Sequence, residues 1–113
     1  MDFETFELDA NTQRVALRGR LDAAGVERIE LRFTAAVGAA SRHALVDLGQ
    51  VEFVGSLGVR LFISVARVLQ RRGLTMVIYA VQPAVLDVLE TVSLSDLIPI
   101  EGSEAEALGR LAA

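Results

Sequence analysis

Ser56 stands between two apolar runs in EFVGSLGVRL (Glu52 to Leu61), with Gly55 before it and Leu57 and Gly58 after it. A hydroxyl in that setting has three chemistries open to it. It can cap a helix, its oxygen accepting a hydrogen bond from the N–H of Gly58 or Val59. It can accept a phosphate, which brings about −1.5 to −2 charge to the positive end of a helix dipole. It can act as a nucleophile if a base lies within hydrogen-bond reach. The third reading fails on inventory. His43 is the single imidazole of the chain and opens a predicted strand, at the rim of a sheet. The pattern G-x-S-x-G is missed as well, because Val54 stands two residues before Ser56. Capping and phosphate acceptance are compatible, and both stay open.

Two carboxylates are placed suggestively. Asp22 follows an alternating segment and precedes a helical one, which is the position of an N-cap. Asp47 ends a short apolar segment ahead of the loop to Ser56, and strand ends are where parallel sheets place sites. Asp22, Asp47, Asp87 and Glu90 lack metal-ligand spacing and otherwise read as capping and solvated groups. With zero cysteines and one histidine there is no thiolate and no Cys/His metal cluster. Neither G-x-G-x-x-G nor G-x-x-x-x-G-K-S/T occurs, so phosphate-cradling loops of those kinds are unsupported. The pattern therefore predicts a folded monomer or weak dimer without metal or cofactor, and not an enzyme.

Charge and hydropathy narrow the partners. Formal net charge is −4 and the eleven basic residues are all arginine, which argues against direct nucleic-acid binding. Mean hydropathy is high at +0.44. Yet Arg60, Arg67 and Arg71 interrupt the most apolar segment, so no run approaches the roughly 18 residues a spanning helix needs, and no membrane insertion is expected. The acidic start MDFETFELD has neither secretory nor transit character, which predicts a cytoplasmic protein.

Elements must hold these groups in place. Residues 3–8 and 14–21 alternate with period two and read as half-buried strands joined by a turn at 9–12. Val26, Ile29, Phe33, Val37 and Ala40 form one stripe of a helix that begins after Asp22. A short interior strand follows at 43–48. A largely buried helix is predicted over 57–72, stopped by Gly73, with Arg60, Ser64, Arg67 and Arg71 on a narrow polar stripe that could border a partner surface. Residues 74–81 read as another interior strand. Pro83 opens a third helix with Val85, Leu89 and Val92 on one face, and 96–100 reads as an edge strand that tolerates Pro99. Ser103 and Glu106 form a capping box for a last helix over 104–113. The order β-β-α-β-α-β-α-β-α predicts one α/β domain over 1–113, a small mixed sheet with parallel pairing, right-handed crossovers and helices mainly on one face.

Three segments carry a resemblance. GRLDAAGVERIELRF (Gly19 to Phe33), ALVDLGQVEFVGSLGVRLF (Ala44 to Phe62) and VQPAVLDVLETVSLSDLIPI (Val81 to Ile100) together resemble the STAS domain, and more narrowly the bacterial anti-sigma-factor antagonists. The resemblance runs in order over nearly the whole chain. It implies that the protein docks onto an anti-sigma factor that is also a serine kinase. Phosphorylation of the serine at the start of the second helix separates the two, and a serine phosphatase restores binding. It places Ser56 at the phosphorylated position and Asp22, Asp47, Gly55, Leu57, Gly58 and Arg60 in or beside the partner surface. In particular, Gly58 matches the glycine that lets the partner approach. The chain departs from the family where it reads G-S-L-G for the frequent D-S-S-G, and where Arg20 replaces a frequent acidic residue. STAS-like domains also serve as adaptors in lipid-trafficking ABC transporters and in stressosome-type scaffolds, which is the alternative function.

Overall fold

The alternating N-terminal segments pair as an antiparallel hairpin, β1 (Asp2–Glu7) and β2 (Thr12–Leu21), in a computed structural model that describes residues 1–111. The chain continues through α1 (Ala23–Gly38), β3 (His43–Val54), α2 (Ser56–Arg71), β4 (Met76–Tyr79), α3 (Pro83–Thr91), β5 (Ile100–Glu101) and α4 (Glu104–Leu111). The five strands lie side by side in sequence order, with β2, β3, β4 and β5 parallel. Parallel neighbours need a crossover, and each of α1, α2 and α3 supplies one.

Those three helices share one face of the sheet. Ile29, Phe33 and Val37 of α1, Phe62, Val65 and Leu69 of α2, and Val85 and Leu89 of α3 pack on Val15, Leu17, Val46 and Ile78 of the strands. Phe33 is the hub, edge-on to Phe3 at 5.5 Å and to Phe62 at 6.4 Å. Such pairs contribute roughly 0.5–1.5 kcal/mol beyond the area they bury. The short α4 covers part of the opposite face, with Ala107 on Leu45, Val77 and Tyr79.

The element order is as the pattern predicts, and the bounds differ where pairing overrides local signal. β3 is the largest difference, running to Val54 rather than Leu48. Its second half pairs with β2 across two irregularities in register, and these leave both Glu52 and Phe53 exposed between buried Val51 and Val54. That broken alternation hides the strand from a period-two reading. β4 is only Met76–Tyr79 because Ala80 turns into the left-handed region. The expected strand at 96–100 is a 3-10 turn (Leu94–Asp96) followed by β5. There Pro99, which has no N–H to give, accepts from the Ile78 N–H through its carbonyl at 2.9 Å. β1 is nearly all exposed, and Phe3 is its contact with the core. Val92 lies beyond the end of α3 and is half exposed, so it does not share the apolar face of that helix. Ala112 and Ala113, expected at the end of the last helix, lie outside the described residues.

Asp22 caps α1 as its position predicts: its Oδ1 accepts from the Gly25 N–H at 2.8 Å. Asp22→Ala should therefore cost about 0.5–2 kcal/mol, read from chemical or thermal unfolding. Unchanged stability would show that water replaces the cap without loss.

Candidate functional site

With β3 extended to Val54, a single residue separates strand from helix. The Gly55 N–H donates to the Leu21 carbonyl at 2.9 Å, which ties the end of β2 to the start of α2. Gly55 is the N-cap of α2, and its carbonyl accepts from the Val59 N–H at 3.1 Å. Having no side chain, it leaves the helix start without a side-chain cap.

This corrects the expected role of Ser56. It is the first residue of α2 and not its cap, because the tie to Leu21 fixes Gly55 in extended backbone and starts the helix one residue later. The hydroxyl is solvent-exposed, and among the described residues it makes no side-chain hydrogen bond. Leu57 beside it is 41% exposed.

Gly58 is placed differently from the expectation that it lies open to a partner. It is buried against the sheet, and a Cβ there would sit 3.0 Å from the Leu21 Cβ and 3.1 Å from Val54 Cγ1. The glycine lets α2 seat closely on β2 and β3, so a bulky residue would unseat the helix rather than act on binding alone. Arg60, Ser64, Arg67 and Arg71 are exposed along one side of α2, as the spacing predicts, and the three arginines make no ion pair among the described residues.

Because Leu21 pairs with Val54, the start of α1 stands next to the start of α2. Asp22 thus lies close to Ser56 and holds Arg20 at 3.6 Å. Arg20 in turn lies over the Phe53 ring at 4.5 Å, a cation–π contact that keeps this half-exposed ring in place. A groove of about 580 Å3 runs between the two helices from Ala23 and Val26 past Glu27 and Leu31 to Leu57 and Arg60. Leu31 is 85% exposed and is the site residue that the sequence reading missed. Its signal was present: it falls roughly 200° around the helix from Ile29, off the apolar stripe, where a leucine gains nothing from the core.

Asp47 is not brought to this cluster. It lies in the middle of β3, beside Ala16 and Tyr79, and on the order of 20 Å of extended strand separates it from Val54. Its Oδ1 accepts from the Gly49 N–H at 2.9 Å, and Oδ2 faces Arg14 at 3.9 Å. The Tyr79 hydroxyl donates to Glu104 of α4 at 3.2 Å. Burial, reinforced by the charges of Asp47 and Glu104, pushes the Tyr79 phenol up to about 12, so it stays a donor at neutral pH. This group of side chains fastens α4 to the sheet. His43 opens β3 at the far end from Ser56, and its Nδ1 accepts from the Thr75 N–H at 3.0 Å, so it cannot serve as a base for Ser56.

The family model for the STAS domain matches residues 8–107. BtrV of Bordetella bronchiseptica, a protein named as an anti-sigma factor antagonist, is 28% identical over 91 residues, which are 80% of this chain and 78% of BtrV. The solved anti-sigma-factor antagonist (STAS) domain protein from Planctomyces limnophilus superposes with a TM-score of 0.84 at 26% identity, covering 100% of both chains. The phosphorylated form of SpoIIAA, a Bacillus cell fate determinant, superposes with a TM-score of 0.70 at 22% identity, over 97% of this chain and 99% of that one.

Proposed function

The chain belongs to the STAS domain family, and from that membership we propose that it is an anti-sigma-factor antagonist working by partner switching in the cytoplasm. It binds an anti-sigma factor that is also a serine kinase, through the surface around Ser56, Leu57 and the groove between α1 and α2. Phosphorylation of Ser56 by that kinase ends the complex, and a serine phosphatase renews it. The observation that carries the reading is the Ser56 hydroxyl itself. It is exposed, free of any internal role, and set on the first residue of a rigid helix beside exposed Leu57. A residue so placed can be modified without unfolding its host. The free N–H groups of an uncapped helix start also tolerate an added anion. Leu57 and Leu31 give the surface the apolar area that an interface core requires.

Gly58 supports this surface from behind by seating α2, whereas Asp47 stands apart from it in the middle of β3. Gly55 contributes through its backbone tie to Leu21. The test is incubation with the cognate kinase and ATP, read by intact mass and peptide mapping. One added phosphate on Ser56, absent from Ser56→Ala, is the expected result. No phosphate with an active kinase, or a phosphate elsewhere, would replace the switch by an unphosphorylated STAS adaptor.

A further inference from the structure

The outer sides of α1 and α2 carry opposite charge, and the charges do not meet. The groove between the helices is banked by Glu27 and Glu30 on α1 and by Arg60 on α2. All three are exposed, and none makes an ion pair among the described residues. Arg67 and Arg71 continue the basic bank, and α2 has no carboxylate along its 16 residues to offset it. Arg28, the cation next to Glu27, lines a separate concavity with Gly19 and Arg20 of β2. Leu31 at 85% exposure and Leu57 at 41% add adjoining apolar surface to the groove.

The two helices run side by side in the same direction, since both leave the end of the sheet where Leu21 pairs with Val54. Gly38 lies against Val68, and Phe33 meets Phe62, contacts that put Glu30 about level with Arg60. This layout is self-complementary. A two-fold axis laid along the groove carries α1 of one copy onto α2 of the other at the same height, so an acidic bank meets a basic bank twice. An axis laid across the groove stacks α1 on α1 and α2 on α2, like charge on like. The charges select the first arrangement.

We propose that the groove face of α1 and α2 is a self-association surface occupied by a second copy of this chain. In this two-fold dimer Glu27 and Glu30 of each copy face Arg60 of the other, and Leu31 and Leu57 are enclosed. A helix of 16 residues is about 24 Å long. Two such helices about 8–10 Å apart present a face that buries on the order of 1,000 Å2 in all. That is the lower limit for a specific interface, so the dimer is weak and reversible, with a dissociation constant on the order of 10 µM. The proposal rests on the partner-switching reading for its role alone: the dimer covers Leu57 and the groove, so self-association and binding of the anti-sigma kinase exclude one another. Its test contains no kinase, so its failure and a failure of Ser56 phosphorylation are separate results.

The test is sedimentation equilibrium of the full chain between about 5 µM and about 500 µM, a range that spans the expected constant. It is run at low ionic strength, where exposed charge pairs are least screened. Reversing the acidic bank, Glu27→Arg with Glu30→Arg, sets arginine against arginine, and Arg60→Glu sets carboxylate against carboxylate. Each should weaken the homodimer at least tenfold and keep a cooperative melt, because both residue types form helix well. Leu31→Gln, at an exposed position, should keep the fold and weaken the dimer at least threefold. Mixing the two charge-reversed chains restores every opposite-charge contact and should return a heterodimer within about threefold of the wild-type constant, identified by native mass spectrometry. A wild-type chain that stays monomeric at the highest concentration, a dimer unmoved by these changes, or reversed chains that do not associate on mixing would each overturn the proposal.

Discussion

Gly25→Ala is expected to destabilise the fold by about 3 kcal/mol or more, although alanine is a better helix former than glycine by about 1 kcal/mol. The reason is a single close approach. A Cβ on Gly25 would lie 2.0 Å from the Arg20 carbonyl oxygen, far inside contact distance, and 3.2 Å from the carbonyl carbon of the same peptide. Neither can yield as a side chain would, because Arg20 is held in β2 by its pairing with Phe53 of β3. The first turn of α1 must lift instead, breaking the hydrogen bond from the Gly25 N–H to Asp22 and disturbing buried Val26. For a chain of this size the melting temperature should fall by roughly 10 °C or more, at about 4 °C per kcal/mol. Gly109→Ala is the matched control. It lies in α4 with nothing within 4 Å of the added Cβ, so the same substitution should raise stability by about 0.4–1 kcal/mol. Equal effects at the two glycines would show that helix propensity, and not the approach to Arg20, governs Gly25.

Ser56→Asp should weaken binding to the cognate anti-sigma kinase by at least 100-fold while leaving the fold intact or slightly more stable. A carboxylate on the first residue of α2 gains about 0.3–1 kcal/mol from the helix dipole. Once a partner covers the surface, that charge is buried without a cation. A buried unpaired charge costs several kcal/mol, and each 1.4 kcal/mol is about tenfold in affinity. Arg60, four residues on, is the nearest cation along the helix that could relieve it, so Ser56→Asp combined with Arg60→Ala should bind no better than Ser56→Asp. Ser56→Ala should bind as the unmodified protein does. Since Ser56 is not the cap, its loss should change stability by no more than a few tenths of a kcal/mol, less than a cap deletion, which typically costs about 1 kcal/mol. Titration calorimetry with melting curves on the same samples separates the two effects. Wild-type affinity in Ser56→Asp, with the protein folded, would move the partner surface away from the start of α2.

Much of the scaffold is legible in the residues. The stripe Val26, Ile29, Phe33 and Val37 names the buried side of α1, although the helix ends at Gly38, short of the expected Ala40, and Asp22 names its cap. The Arg60, Ser64, Arg67, Arg71 series names the solvated side of α2. The stop at Gly73, which takes φ +73, also reads directly, and so does the chain reversal between the first two strands, although β1 ends at Glu7 and β2 already starts at Thr12. Each is a local matter: a helix face or a cap involves residues three or four apart, and their types record it.

What the sequence by itself determined is therefore the order of elements, which faces of α1 and α2 meet the core, and the presence of an isolated serine at the start of the second helix. Only the tertiary structure decided where that serine stands relative to everything else. The pairing of Leu21 with Val54 and the bond from Gly55 to the Leu21 carbonyl extend β3, move the cap from Ser56 to Gly55 and turn Gly58 inward. The same pairing brings Leu31 and Asp22 towards Ser56, while the long β3 carries Asp47 away to the α4 side. These are contacts between residues distant in the chain, and a bulged register has no period to read. Their geometry is set by the balance of many strand and helix contacts at once, and no local residue pattern encodes that balance.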